Sequence, residues 1–123
     1  MQDLQARVTA CSPYVAETID RFPELLEELS SQRRLDRASV PGELSTLVAA
    51  AAPPDLASAE FQRQLRLLRH RELLRIVWRD VSGAAQVEET LRDLSDLADA
   101  AINAALAQAN AALSQRQIGR AHV

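Results

Sequence analysis

From Asp55 to Leu113 the sequence holds two long segments with helical periodicity, divided only by Ser82-Gly83. So short a connection predicts an antiparallel helix hairpin. In the first segment, expected to run to about Val81 with Asp55 or Ser58 as its cap, apolar residues fall in two series. Phe61, Leu65 and Leu68 form one; Leu67, Leu74, Val77 and Val81 form the other. The series occupy different faces, so this helix is expected to be covered on more than one side. In the second segment, from about Ala85 to Leu113, the residues Val87, Leu91, Leu94, Ala98, Ala101 and Ala105 recur every three or four positions and mark its apolar face. Its later half, "ADAAINAALAQANAAL", is rich in alanine, which favours helix and permits close helix–helix approach.

The chain before this hairpin also reads as helix and turn. Ser12-Pro13 is a helix start, with Ser12 as N-cap and Pro13 at the first helical position. The helix from Pro13 to about Arg21 offers Tyr14, Val15 and Ile19 to a partner surface. Pro23 opens a second helix through Leu25, Leu26 and Leu29, with Glu24, Glu27 and Glu28 in turns where acids suit the helix dipole. The polar run "SSQRRLDRASVPG", Ser30 to Gly42, reads as a loop, and a short helix from Pro41 or Gly42 to about Ala51 ends at "AAPPD". No segment alternates apolar and polar residues as a half-buried strand would. The expected fold is all-α, a helical bundle with a long antiparallel hairpin.

Composition narrows the function classes. Apolar residues make up 47% and charged residues 25% of the 123 positions, the balance of a globular chain. A net charge of −3 argues against general nucleic-acid binding. No apolar run is long enough to cross a bilayer, and the N-terminus lacks the form of a signal peptide. The single cysteine, Cys11, excludes an internal disulfide; it is expected to be a small buried or half-buried residue in a reducing, cytoplasmic setting.

The stretch "LRLLRHRELLRIVWRD", Leu65 to Asp80, raises the question of chemistry. Arg71, Arg75 and Arg79 form one stripe at spacings of four, with Arg66 and Arg69 off it. The following helix carries Glu88, Glu89, Asp93, Asp96 and Asp99 against Arg92. The plain reading is a salt-bridged hairpin with a solvated rim. The sharper reading has some arginines aimed at phosphate through the bidentate fork that lysine lacks. On that division Arg75 is assigned to structure, while Arg66 and Arg69 are the candidates for reaching another domain. Trp78 is expected in the core with its indole N–H bonded to a neighbour. His70 is expected to be exposed, with no second ligand near it for a metal. Asp93, Asp96 and Asp99 lie three apart and read as a solvated stripe rather than a cation site. The sequence holds no Gly-rich phosphate loop, no Cys/His constellation and no supported Ser-His-Asp set.

The segment Phe61 to Leu106 resembles the helical region near the N-terminus of the bifunctional glutamine synthetase adenylyltransferase/adenylyl-removing enzymes. Arg66, Arg69, Arg71, Glu72, Leu74, Arg75, Ile76, Trp78, Arg79 and Asp80 fit the family's arginine- and leucine-rich helix. Glu88, Glu89, Thr90, Leu91, Leu94, Ser95, Leu97, Ala98 and Asp99 fit the segment after it. "CSPYVAETIDRFPELLEEL" is similar, more loosely, to the entry helices upstream. His70 departs from the family pattern, where arginine is usual.

The resemblance implies a helical part of a larger α+β nucleotidyltransferase domain, in an enzyme that attaches AMP from ATP to glutamine synthetase and removes it by phosphorolysis to ADP. It implies magnesium and ATP or ADP as cofactors, with glutamine synthetase and a PII-type signalling protein as partners. The family's catalytic halves use a Gly-rich loop followed by paired acids on a strand. No residue here matches that motif, so no catalytic, cofactor-binding or metal-binding residue is carried over. A stand-alone helical interaction module is the alternative. The last six residues, "IGRAHV", are what ATC GGA AGA GCA CAC GTC encodes, which resembles a sequencing adapter read as codons. On that reading residues 1–117 are the native helical segment of the AMP-removing half, and 118–123 are a non-native tail.

Overall fold

The computed structural model describes residues 2–121, with side chains described for 3–117. All the regular structure among them is helical: α1 (Gln2–Cys11), α2 (Pro13–Arg21), α3 (Pro23–Ser31), α4 (Glu43–Ala51), α5 (Ser58–Val81) and α6 (Val87–Ala121). The all-α expectation holds, and so does the hairpin. Arg79 near the end of α5 meets Glu89 near the start of α6, and Arg75 meets Asp93 one turn further along, so the two helices run antiparallel. Among the described residues no helix is long and apolar enough to cross a membrane.

Local chemistry sets most boundaries. Ser12 caps α2 as expected, its Oγ accepting from the Val15 N–H at 3.2 Å, and Pro13 follows it. The end of α3 is a Schellman turn: the Arg33 N–H donates to the Ser30 carbonyl and the Arg34 N–H to the Leu29 carbonyl. Arg33 supplies the left-handed residue this turn needs, at φ 55. Gly42, at φ 82, does the same at the entry to α4, where a side chain would be strained. Three features differ from the sequence reading. α1 was not foreseen. α5 starts on Ala57 with no side-chain cap, so neither Asp55 nor Ser58 serves. α6 continues past Leu113.

The core lies on two sides of α5, as its two apolar series predict. On one side Phe61, Leu65, Leu68 and Ile76 pack with Leu44, Val48 and Ala52 of the α4 region and with Leu97 and Ala100 of α6. On the other, Leu74 and Trp78 pack with Val8, Val15, Leu25, Leu29 and Leu35. Each Val, Leu, Ile or Phe among them contributes about 1.5–3 kcal/mol by leaving water. The partner for α2 is therefore internal: Val15 is buried and Ile19 packs against the same cluster. Trp78 is buried as expected. Cys11 is exposed, not buried, because α1 ends there and turns its Val8 side inward.

The second helix of the hairpin is rotated from its expected face. Val87, Leu91, Leu94, Ile102, Leu106 and Leu113 stand in solvent, 39–64% exposed, while Asp93, Leu97 and Ala100 turn inward. An acid displaces leucine from the inward face because a buried arginine waits opposite it. The expected non-native tail, 118–123, lies outside the described side chains.

Candidate functional site

The arginine stripe of α5 builds a buried ion network. Glu72, fully buried, is its centre. Arg34 grips this carboxylate with both terminal nitrogens, one at 2.7 Å from Oε1 and the other on Oε2. Arg71 Nε donates to Oε2 at 3.0 Å and Arg75 Nε to Oε1 at 3.1 Å. Burial acts to raise the Glu72 carboxyl, but the hydrogen bond and charge of Arg34, with Arg75 and Arg71, outweigh it and hold the group below the ordinary carboxylate value.

From this centre the network reaches four other elements. Arg71 extends to Glu28 of α3 at 2.9 Å. Arg75, 1% exposed, faces Asp93 of α6, 2% exposed, at 3.1 Å. That contact is an ion pair without hydrogen-bond geometry: Arg75 Nη1 and Nη2 and Asp93 Oδ1 are sealed from solvent and unbonded. Arg79 holds both oxygens of Glu89, at 2.8 and 3.1 Å, and donates to the Leu35 carbonyl at 2.9 Å, tying the loop to the hairpin. Beside it, Arg37 clamps Glu43 at 2.6 and 2.9 Å, and the Val40 N–H adds a third bond. The Arg37 bond, aided by that N–H and by Arg34, overcomes burial and lowers the Glu43 carboxyl to about 2.

The charges of this assembly cancel. Arg34, Arg37, Arg71, Arg75 and Arg79 stand against Glu28, Glu43, Glu72, Glu89 and Asp93, five of each sign. A network so matched has no spare cation to offer a phosphate. Its chemistry is structural: it fastens α3, the 32–42 loop, α4 and α6 to one helix. Arg75 and Arg79 join the two helices of the hairpin, as expected for Arg75, while Arg71 reaches α3; Arg75 and Arg79 are buried and Arg71 half-buried, in place of a solvated rim.

Arg34 is the residue that sequence reasoning missed. It lies in a run of polar residues that reads as loop, and only the Schellman turn before it swings its side chain inward. The other sequence candidates are placed apart. Arg66 and Arg69 are exposed and off the stripe. His70 is half-buried rather than exposed, tilted against the Phe22 ring with centroids 5.3 Å apart. Burial, then the charges of Arg21, Arg69 and Arg66, push its imidazole below its ordinary value. The acid stripe is split: Asp93 turns in to Arg75, while Asp96 and Asp99 border an open cleft of about 480 Å³ with Arg92 and Ser39.

Comparison with known proteins places this architecture. The family model for glutamate-ammonia ligase adenylyltransferase matches residues 2–122. A bifunctional glutamine synthetase adenylyltransferase/adenylyl-removing enzyme of Pseudomonas putida is 44% identical over 99 residues, 80% of this chain. The protein of the same name from Thioalkalivibrio sulfidiphilus is 44% identical over 110 residues, 89% of this chain, and that of Nitrosococcus oceani is 39% identical over 100, or 81%. The chain spans about a tenth of the length of these relatives. No solved structure matches it. Matched by the family model over residues 2–122, the chain belongs to the glutamate-ammonia ligase adenylyltransferase family.

Proposed function

We propose that the chain is a helical part of a longer enzyme that attaches AMP to glutamine synthetase and removes it, and that this part is scaffold, in the AMP-removing half. The observation that carries the scaffold role is the neutral network, buried at Arg34, Glu72, Arg75, Arg79 and Asp93, whose arginines are all engaged by the fold's own acids. The similarity to relatives bearing the enzyme's name supports the activity of the whole.

Magnesium and ATP or ADP belong, on this reading, to the rest of the enzyme. The carboxylates here do not fit them: Asp93 is committed to Arg75, and among the described residues no three His, Cys, Asp or Glu side chains converge as metal ligands. No step of AMP transfer or phosphorolysis is therefore assigned to a residue of this chain. A PII-type signalling partner and a cytoplasmic location go with the whole protein in the same way.

The test pairs the chain with the full-length protein that carries it. Incubated with adenylylated glutamine synthetase, phosphate and magnesium, the full-length protein is expected to release ADP and the chain alone to release none above background. ADP from the chain alone would overturn the scaffold role. An inactive full-length protein would overturn the activity. A reading frame with no nucleotidyltransferase domain after this segment would favour a stand-alone interaction module.

A further inference from the structure

Four of the six arginines on α5 have a carboxylate partner: Arg63 with Glu60, Arg71 with Glu28 and Glu72, Arg75 with Glu72 and Asp93, and Arg79 with Glu89. Arg66 and Arg69 have none among the described residues, and both are exposed. Arg69 lines the edge of an apolar groove, and Arg66 lies three residues before it on α5. This groove, of about 430 Å³, runs between Leu65, Arg69 and Leu73 of α5 and Leu94, Ala98 and Ile102 of α6. Val87 and Leu91, both more than half exposed, fall on the same arc of α6 as these lining residues. At 1.5 Å per residue, Val87 to Ala105 makes an apolar strip roughly 27 Å long. A strip of that length is far beyond the scattered exposed leucines of an ordinary surface.

We infer that this α5–α6 groove is the seat of an amphipathic helix with an acidic edge, contributed by the rest of the same polypeptide. The inference rests on the reading of the chain as part of a longer enzyme. A trough between two packed helices accepts a third helix, ridge into groove, and the small side chains of Ala98, Ala101 and Ala105 let its backbone come close. Arg66 and Arg69 set the chemistry of the occupant: its carboxylates complete the pairing that every other arginine on α5 already has. The source follows from length. About nine-tenths of each relative lies outside the matched region. A helix tethered in the same chain is present at a high effective concentration and outcompetes a second copy or a foreign partner.

The test uses the full-length protein, with Cys11 replaced by serine and a single cysteine introduced as Ala98→Cys or Ile102→Cys. Each thiol is expected to react at least about tenfold slower in the native protein than in denaturant, because the groove must open first. Adding Arg69→Glu is expected to bring the native rate back up by about tenfold, through repulsion of the acidic edge. A photo-crosslinker at Ile102 is expected to capture a peptide from the same chain, with Asp or Glu within one turn of its leucines. Native thiols that react at the denatured rate would overturn the proposal. So would a crosslink to a second copy or to another protein, and so would an unchanged rate in Arg69→Glu. These readouts do not depend on AMP chemistry. A protected groove in an inactive protein overturns the activity alone, and an open groove in an active one overturns the docking site alone.

Discussion

Arg75 and Arg69 lie on the same helix and occupy opposite worlds. Arg75 is sealed between Glu72 and Asp93, while Arg69 stands in solvent at the lip of an apolar groove. Residue type does not separate them, since both are arginines preceded by leucine in the chain. What separates them is the arc of the helix on which each falls, and which acids the neighbouring elements bring there. α3 brings Glu28 and α6 brings Asp93 and Glu89 to one arc; nothing described brings an acid to the other. An arginine-rich helix is thus two objects, an internal clamp and an open edge.

Removing the centre of the clamp gives the sharpest break in this comparison. Glu72→Ala leaves Arg34 and Arg75 buried without their shared anion, and is expected to cost about 3–5 kcal/mol in chemical denaturation. A loss below about 1 kcal/mol, shrinking with salt, is what an exposed pair gives and would show that the network is open to water.

A smaller effect tests the rim of the same clamp. The Glu43 carboxyl sits near 2 in the folded chain against an ordinary value of 4.5. Its pairing with Arg37 stabilises the fold fully above about pH 4.5, and that contribution disappears as the pH falls toward 2. Glu43→Gln is expected to flatten the fall in denaturation midpoint across that window. An unchanged profile would place the acid sensitivity elsewhere.

The smallest effects belong to the open edge. Arg66→Gln and Arg69→Gln are each expected to change stability by no more than about 0.5 kcal/mol in the segment itself. A loss of several kcal/mol for Arg69→Gln would erase the contrast with Arg75.

Much of this contrast was legible in the sequence, and the gaps have physical causes. The hairpin, its break at Ser82-Gly83 and the double-sided packing of α5 follow from periodicity, because large apolar side chains dominate there. Periodicity failed on α6, where the leucines mark the outer face and a buried acid marks the inner one. It could not register that Asp93 is neutralised by a residue on another helix. Arg34 was hidden for a related reason: a polar run reads as solvent, and its burial depends on a turn and a partner far along the chain. α1 escaped because, among its described side chains, Val8 is the one fully buried apolar residue and Leu4 is only part-buried, too little for a pattern. Trp78 lies in the core, as its residue type alone predicts.

The sharing of one carboxylate by three guanidinium groups also shapes how such a sequence can drift. Any single replacement at Arg34, Glu72 or Arg75 strands a charge in the interior, although swapping a whole buried ionic set for well-packed apolar side chains is often neutral or better. A lineage carrying this arrangement therefore faces a valley between two workable solutions. It can leave only by several substitutions taken together, so these positions are locked to one another by history more than by what each adds to the fold.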